Sequence, residues 1–449
     1  MSTKQVPWFE RISYSLTDTA SNLVFQVVTT YLLFYYTDSI GMSAAAVGTL
    51  FLIARVIDAF DSPFFGIMID KTNTRWGKSR PWFLWLALPF CVVAVLTFSV
   101  PDISSSGQIA YAYVTYILLG ILYAGINLPI TSILPSLSSD PQERTVIATV
   151  RMLFAMVGMI AVTTFTLPIV HKLGQGNDAK GFSLTMIIFA SIAFVLFINA
   201  FFNTKERVVS ASSQKSLPVK EGIKAIKGNW PWVIMLFLNF IFWIANIMKT
   251  QTTTYYFTYK IERPDLIPVF MALNMLMLVT LVLVPFLTKK FSKRNILIFG
   301  LIVSIIGQLI MFMGDQASSI AVLIAGSIVV SLGGGFAGGL LFIMIVDTVD
   351  YGEWKTGVRA QGLLTASSSF GVKFGMGIGG ALSAWMLGLS GYKAGAVQNA
   401  SALRAIDLNF IWIPIVCYVL AIIALLFYTL DKEESQMLAD LKARNNPVL

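Results

Sequence analysis

The stretch Arg55-Val56-Ile57-Asp58-Ala59-Phe60-Asp61-Ser62-Pro63 places three ionisable side chains inside an apolar segment, residues 43–70, that is long enough to cross a bilayer. A carboxylate or guanidinium at the centre of an inserted helix costs roughly 2.5–3.5 kcal/mol, so a chain that keeps three of them must bury them against protein or water. At about 100° per residue, Asp58 lies between Arg55 and Asp61, about 60° from each, and the three share one helical face. Leu52, Ile53, Val56, Ile57, Phe64 and Phe65 are left for lipid or for neighbouring helices. By default, charge in this position marks a transport pathway.

The rest of the chain agrees. Of 449 residues, 56% are hydrophobic and 12% charged, and the mean hydropathy of +0.75 lies outside the range of soluble domains. The fold expected is an all-α polytopic membrane protein. A net charge of +9 would suit nucleic acid, but the basic residues fall between apolar segments, where they set orientation instead. Cys91 and Cys417 lie far apart inside apolar segments and read as small core residues. The N-terminal apolar stretch is too long for a cleaved signal peptide and contains Asp18, so the first helix is expected to stay in the mature protein.

Apolar runs long enough for about 30 Å of hydrocarbon predict twelve helices: 10–37, 43–70, 81–100, 108–136, 143–170, 181–203, 230–258, 265–288, 295–314, 318–346, 362–391 and 407–430. The polar stretch 203–229 carries Lys205, Arg207, Lys215, Lys220, Lys224 and Lys227, and divides the chain into halves 1–203 and 230–449 joined by a linker, 204–229. Residues 218–227 fit a short basic helix on an anionic membrane surface. Twenty-two of the 32 Lys and Arg fall on the side that holds both termini, which the positive-inside rule makes cytoplasmic. Short basic loops at 71–80 and 289–294 echo each other, and a repeat of two six-helix bundles implies a transporter with its site between them.

Further polar groups inside the predicted helices are Asp18, Asn127, Arg151, Lys249 and Lys373. A carboxylate, an amide and a guanidinium offer bidentate partners to vicinal hydroxyls, so Asp18, Asn127, Arg151 and Lys373 predict a sugar site. The competing reading makes Asp18–Arg151 and Arg55–Asp58 structural ion pairs that hold helices together. Lys249, about ten residues from the external end of its helix, fits ligand contact and snorkelling equally well. The single histidine, His171, falls in an external loop, so any proton carrier within the helices must be a carboxylate. Glycines 333–335, 338–339 and 375–380 lack the strand and lysine context of a phosphate loop and read as close helix packing. An enzyme would need a nucleophile–base pair or metal ligands within the helices, and a channel would need rings of like charge. Neither is present in the sequence, so no catalytic residue, cofactor or confident metal site is expected.

Three motifs carry a resemblance: 347–359 (Asp347-Thr348-Val349-Asp350-Tyr351-Gly352-Glu353-Trp354-Lys355-Thr356-Gly357-Val358-Arg359), 73–81 with Arg75, Gly77, Lys78 and Arg80, and Tyr35-Tyr36-Thr37-Asp38. Over essentially its whole length the chain resembles the glycoside–pentoside–hexuronide:cation symporters of the major facilitator superfamily. The resemblance implies sugar–cation symport across a bacterial inner membrane by a monomer of twelve helices, with both termini cytoplasmic. It also implies the family's sugar carboxylate at Asp18, its arginine at Arg151 and its lysine at Lys373. The melibiose carriers of the family hold their cation with two aspartates four residues apart, plus an aspartate and a threonine on the fourth helix. Here the matching positions are Asp58, Ser62, Asn127 and Ala124, with Asp61 displaced by one residue, and a stacking tryptophan is replaced by Thr131. Too little negative charge remains for a tight sodium cage, whereas Asp58 and Asp61, flanked by Arg55, suit a proton carrier. Protons are therefore the expected coupling ion, with sodium the alternative. Loops 71–80, 140–144 and 347–359 place Arg75, Asp140, Arg144, Asp347, Asp350, Glu353 and Arg359 as a cytoplasmic gate pairing across the halves.

Overall fold

A computed structural model of the chain describes residues 5–138, 140–207, 228–358 and 360–445. All twelve predicted spans fall on helix. In the first half these are α1 (Trp8–Phe34), α2 (Ala44–Lys71), α3 (Arg80–Thr97), α4 (Ser105–Ser132), the short α5 (Leu134–Leu137), α6 (Pro141–Gly174) and α7 (Asp178–Asn203). The second half has α8 (Trp230–Tyr255), α9 (Ile267–Leu273) and α10 (Met277–Leu287) joined by a single 3-10 turn, α11 (Lys293–Gln316), α12 (Ile320–Thr356), α13 (Gln361–Leu389), α14 (Ala400–Asp407), α15 (Ile413–Leu426) and α16 (Leu430–Asn445). Among the described residues, ten of these helical stretches are long and apolar enough to cross a membrane. No strand forms among them.

Polar side chains start the helices where the apolar runs begin. Asp140 accepts from the Gln142 amide at 3.0 Å ahead of Pro141, Asn177 from Lys180 at 3.0 Å and Asn229 from Trp232 at 3.2 Å, each satisfying an amide the first turn leaves free. Several long helices keep one flank apolar and exposed. On α11, Phe299, Ile302, Ile306, Leu309 and Met313 recur every three to four residues and are all exposed, a stripe suited to lipid. The opposite flank packs by close approach: a Cβ on Gly333 of α12 would lie 2.5 Å from the Gly300 carbonyl of α11, and one on Gly375 2.5 Å from that of Phe240. These glycines are packing positions, as their sequence context implies.

The chain groups into two compact units, Met1–Ser213 with Leu387–Val397, and Gln214–Met386 with Gln398–Leu449. The internal repeat is visible in backbone detail. α1 ends in a π-helical turn, Tyr35–Ser39, with Met42 N donating to Tyr36 O at 2.8 Å; α8 ends in Tyr256–Lys260, with Arg263 N donating to Phe257 O at 2.8 Å.

Five points of the expected helix map need correction. The 347–359 motif is not a loop: α12 runs on to Thr356 and stops at Gly357, whose φ of +71° suits glycine. Apolar run length underestimates this helix because its final turns are held by ion pairs rather than by lipid. The eighth span is interrupted between α9 and α10, and the twelfth begins earlier, at Ala400, with a π-helical turn at Leu408–Trp412. The tail after 430 is a helix whose Leu430, Met437 and Leu441 are buried. His171 lies in the last turn of α6 rather than in a loop. The proposed basic helix at 218–227 and Arg359 fall outside the described residues.

Candidate functional site

Among the ion pairs of the first unit, two join sequence-predicted site residues and are built on different helices. α1 carries Asp18 and, one turn earlier, Tyr14; α6 carries Arg151. The Thr19 hydroxyl donates to the Phe154 carbonyl at 2.7 Å and holds α1 against α6. Across that contact Arg151 Nε meets Asp18 Oδ2 at 2.8 Å, with both side chains about four-fifths buried. Arg151 Nη1 also donates to the Tyr14 hydroxyl at 3.2 Å and to the Ile130 carbonyl of α4 at 3.3 Å, and the Tyr14 hydroxyl itself donates to Ile130 O at 2.5 Å.

The second pair lies on α2. Arg55 Nη1 binds Asp58 Oδ2 at 2.7 Å, as their shared face predicts, and Nη2 donates to the Tyr116 hydroxyl of α4 at 3.3 Å. The other oxygen of Asp58 lies against Gly120, where a Cβ would come within 2.9 Å of it. Asp61 is buried on the same helix, Ile53, Val56 and Phe64 are exposed, and Phe65 is buried against Trp82. The side chain of Ser62 is outside the described set. Asn127 is half-buried on α4, four residues beyond Tyr123.

Tyr14, Tyr116, Gly120 and Tyr123 were not singled out in the sequence, because tyrosine and glycine carry no charge to make them conspicuous in an apolar run. Their helical spacing from Asp18 and Asn127 was the available signal.

The second unit holds Lys373, half-buried on α13, and Lys249 on α8. Lys249 is half-buried; its ammonium lies 4.0 Å from Met311 Sδ and 5.7 Å from the centre of the Phe410 ring, and among the described residues no carboxylate pairs with it. Lys260 is half-buried between Asp315, at 2.6 Å, and Asp407.

Three of the predicted gate residues, Asp347, Asp140 and Arg144, have partners within their own unit. Asp347 pairs with Lys293 at 2.7 Å within its own unit, and Lys293 also binds Glu434 of α16 at 2.8 Å. Asp140 caps α6, and Arg144 donates to the Ser138 and Pro135 carbonyls. Asp350 and Glu353 are half-buried on α12. Arg75 is exposed, its guanidinium 4.7 Å from the Trp76 ring centre. Its loop is anchored by Glu206, which accepts from the Lys78, Ser79 and Arg80 amides at 2.8–3.0 Å; Gly77, at φ +109°, leaves the space that carboxylate occupies. Beyond α7, hydrogen bonds from Arg207 to Glu10 at 2.6 Å raise the arginine above its ordinary pKa.

Membrane-crossing helices in two repeated units, with charge paired in their interior, define a secondary transporter of the major facilitator type. Residues 13–432 match the family described as MFS/sugar transport protein, and the chain belongs to it, within the glycoside–pentoside–hexuronide:cation symporters. It is a sugar transporter, not an enzyme. Over 442 residues it is 50% identical to the isoprimeverose transporter of Lactiplantibacillus pentosus, covering 98% of this chain and 92% of that protein. It is 31% identical to the glucuronide carrier protein homolog of Escherichia coli (strain K12), covering 98% and 97%. Among solved structures, a D-xylose–proton symporter superposes with a TM-score of 0.67 at 15% identity, covering 93% of this chain and 97% of that one, which shows the shared fold.

Proposed function

We propose that this protein carries isoprimeverose, or a small glycoside of similar size and hydroxyl pattern, across a bacterial inner membrane by proton symport, with both termini cytoplasmic. The observation that carries the reading is the presence of two separate acid–base pairs in one unit, Asp18–Arg151 at 2.8 Å and Arg55–Asp58 at 2.7 Å. One pair can serve the sugar while the other serves the ion. Asp18 and Arg151 would open to take sugar hydroxyls, with Asn127 and Lys373 adding an amide and an ammonium. The 50% identity to an isoprimeverose transporter supports the sugar class.

Asp58 suits a proton better than sodium. One of its oxygens is committed to Arg55, and the neighbouring α4 positions Gly120 and Ala124 bring no oxygen ligand from their side chains. A proton needs only the carboxylate. Its arrival on Asp58 would release the Arg55 guanidinium toward Tyr116, changing the charge on that face of α2. Alternating access would then follow from rocking of the two halves.

The test is uptake of labelled isoprimeverose into membrane vesicles under an imposed pH gradient without sodium, and under a sodium gradient at fixed pH, in the parent, Asp58→Asn and Asp61→Asn. Uphill uptake under the pH gradient, abolished in Asp58→Asn, is expected. Accumulation driven by sodium alone assigns sodium, and counterflow without accumulation under either gradient makes the protein a facilitator or exchanger.

A further inference from the structure

α8 leaves a polar strip uncovered, where α11 leaves an apolar one. Of the ten membrane-spanning stretches, Trp230–Lys260 is the most buried. Its exposed large apolar residues, Trp230, Val233 and Phe237, all lie in its first third. From Leu238 to Phe257 every position is buried except Phe240, Trp243, Asn246, Lys249 and Thr250, which are half-buried. At about 100° per residue, Trp243, Asn246 and Thr250 fall within about 60° of one another, on one face.

Both flanks of that face are occupied. On one side α13 closes in: a Cβ on Gly375 would lie 2.5 Å from the Phe240 carbonyl and one on Gly379 2.8 Å from that of Ile244, and Phe240 stacks on Phe374 at 6.1 Å. On the other, the Lys249 ammonium lies against Met311 and Phe410. Trp243 packs against the apolar core of the second unit and stands edge-on to Phe242 at 6.0 Å. Among the described residues the Asn246 amide, the Thr250 hydroxyl and the Trp243 indole N–H have no hydrogen-bond partner, whereas the Thr253 hydroxyl donates to the Lys249 carbonyl at 2.8 Å. Asn246 falls at the middle of the span, where an amide turned to hydrocarbon is costly, so this face meets water or a polar solute.

We propose that Trp243, Asn246 and Thr250 form a sugar-contact surface within the second unit, which takes one pyranose ring of the carried glycoside; this rests on the substrate class given under Proposed function. A pyranose presents a flat face of C–H bonds and a rim of hydroxyls. The indole offers a rigid apolar surface to the first, and an amide and a hydroxyl, which both donate and accept, take the second. An aromatic wall with a few open polar groups is the ordinary make-up of a small-molecule site. The three residues would then set specificity by ring shape and hydroxyl position, with no charge of their own.

The experiment measures binding of isoprimeverose, its monodeoxy analogues, methyl xyloside, methyl glucoside and melibiose by calorimetry, to purified parent, Trp243→Ala, Trp243→Phe, Asn246→Ala and Thr250→Val, each checked by thermal unfolding. Affinity is expected to fall at least about tenfold in Trp243→Ala and to return to within about threefold of the parent in Trp243→Phe, which keeps an aromatic face. Asn246→Ala and Thr250→Val each lose about 2- to 13-fold, the worth of one hydrogen bond. For one deoxy position apiece, the parent discriminates between sugar and analogue whereas the Asn246 or Thr250 variant binds both alike. Folded variants with parent affinity overturn the surface. So do variants that lose affinity for all analogues equally and keep the parent's discrimination, since these residues would then act through packing alone; if Trp243→Ala does not fold, the two conservative polar variants decide. The comparison is read on whichever glycoside the parent binds, so a parent that prefers another one fails the isoprimeverose reading alone, and a parent that binds none fails both.

Discussion

At the scale of single residues, the Asp18–Arg151 pair decides between a sugar site and a helix staple. Asp18→Asn leaves Arg151 facing only the Tyr14 hydroxyl and the Ile130 carbonyl, and Arg151→Gln leaves the Asp18 carboxylate without its cation. Truncating one partner of a hydrogen-bonded charge pair costs about 2–5 kcal/mol, so sugar affinity is expected to fall by at least about thirtyfold in either variant. Calorimetry on folded, purified protein checks this. Binding within about twofold of the parent would assign the pair to holding α1 against α6. The charged members of both pairs were legible in the sequence because charge inside an apolar run is costly. Their tyrosine partners were not, because a buried tyrosine that shares its hydroxyl is an ordinary core residue until its neighbour is known.

At the scale of elements, α16 shows how far apolar run length can mislead. Its sequence is polar, yet it docks on the ends of α11 and α12 through Lys293–Glu434, Lys355–Glu433 at 3.5 Å and a bond from Trp354 Nε1 to Asp440 at 2.8 Å. Lys293 is the shared cation. Lys293→Met leaves two half-buried carboxylates together, one of them Asp347, and is expected to destabilise by about 1–3 kcal/mol. Glu434→Gln keeps Lys293–Asp347 intact and is expected to change stability by no more than about 1 kcal/mol. Thermal unfolding of the three proteins in one detergent measures the difference, and equal melting points would remove Lys293 as the tie between these helices.

At the scale of the molecule, transport rate and substrate affinity should separate. Arg75 is exposed and, among the described residues, has no carboxylate partner, while its loop is pinned by Glu206; Asp350 stands one turn beyond the paired Asp347. We propose that these two charges bias the equilibrium between access states. Charges with access to solvent, one exposed and one half-buried here, contribute about 0–1 kcal/mol each, enough to shift a balanced equilibrium severalfold. Asp350→Asn and Arg75→Gln are then expected to change turnover by severalfold while leaving sugar affinity near the parent. Counterflow rates beside equilibrium binding provide the measurement, and weakened binding at an unchanged rate would count against a gating role.

The sequence by itself determined the all-helical membrane class, the positions of the spans, the family and the paired charges on α2. These follow from local physics: hydrocarbon thickness sets run length, and a 100° helical step places Arg55 beside Asp58. Tertiary structure decided which groups from separate helices meet. Asp18 finds Arg151 across 133 positions of chain only because α1 packs on α6. It also carried α12 through the 347–356 motif, folded the polar tail into α16, and set Lys260 between two aspartates. In each of these the stabilising partner lies far away in sequence, so no window of neighbouring residues contains the interaction that decides the conformation.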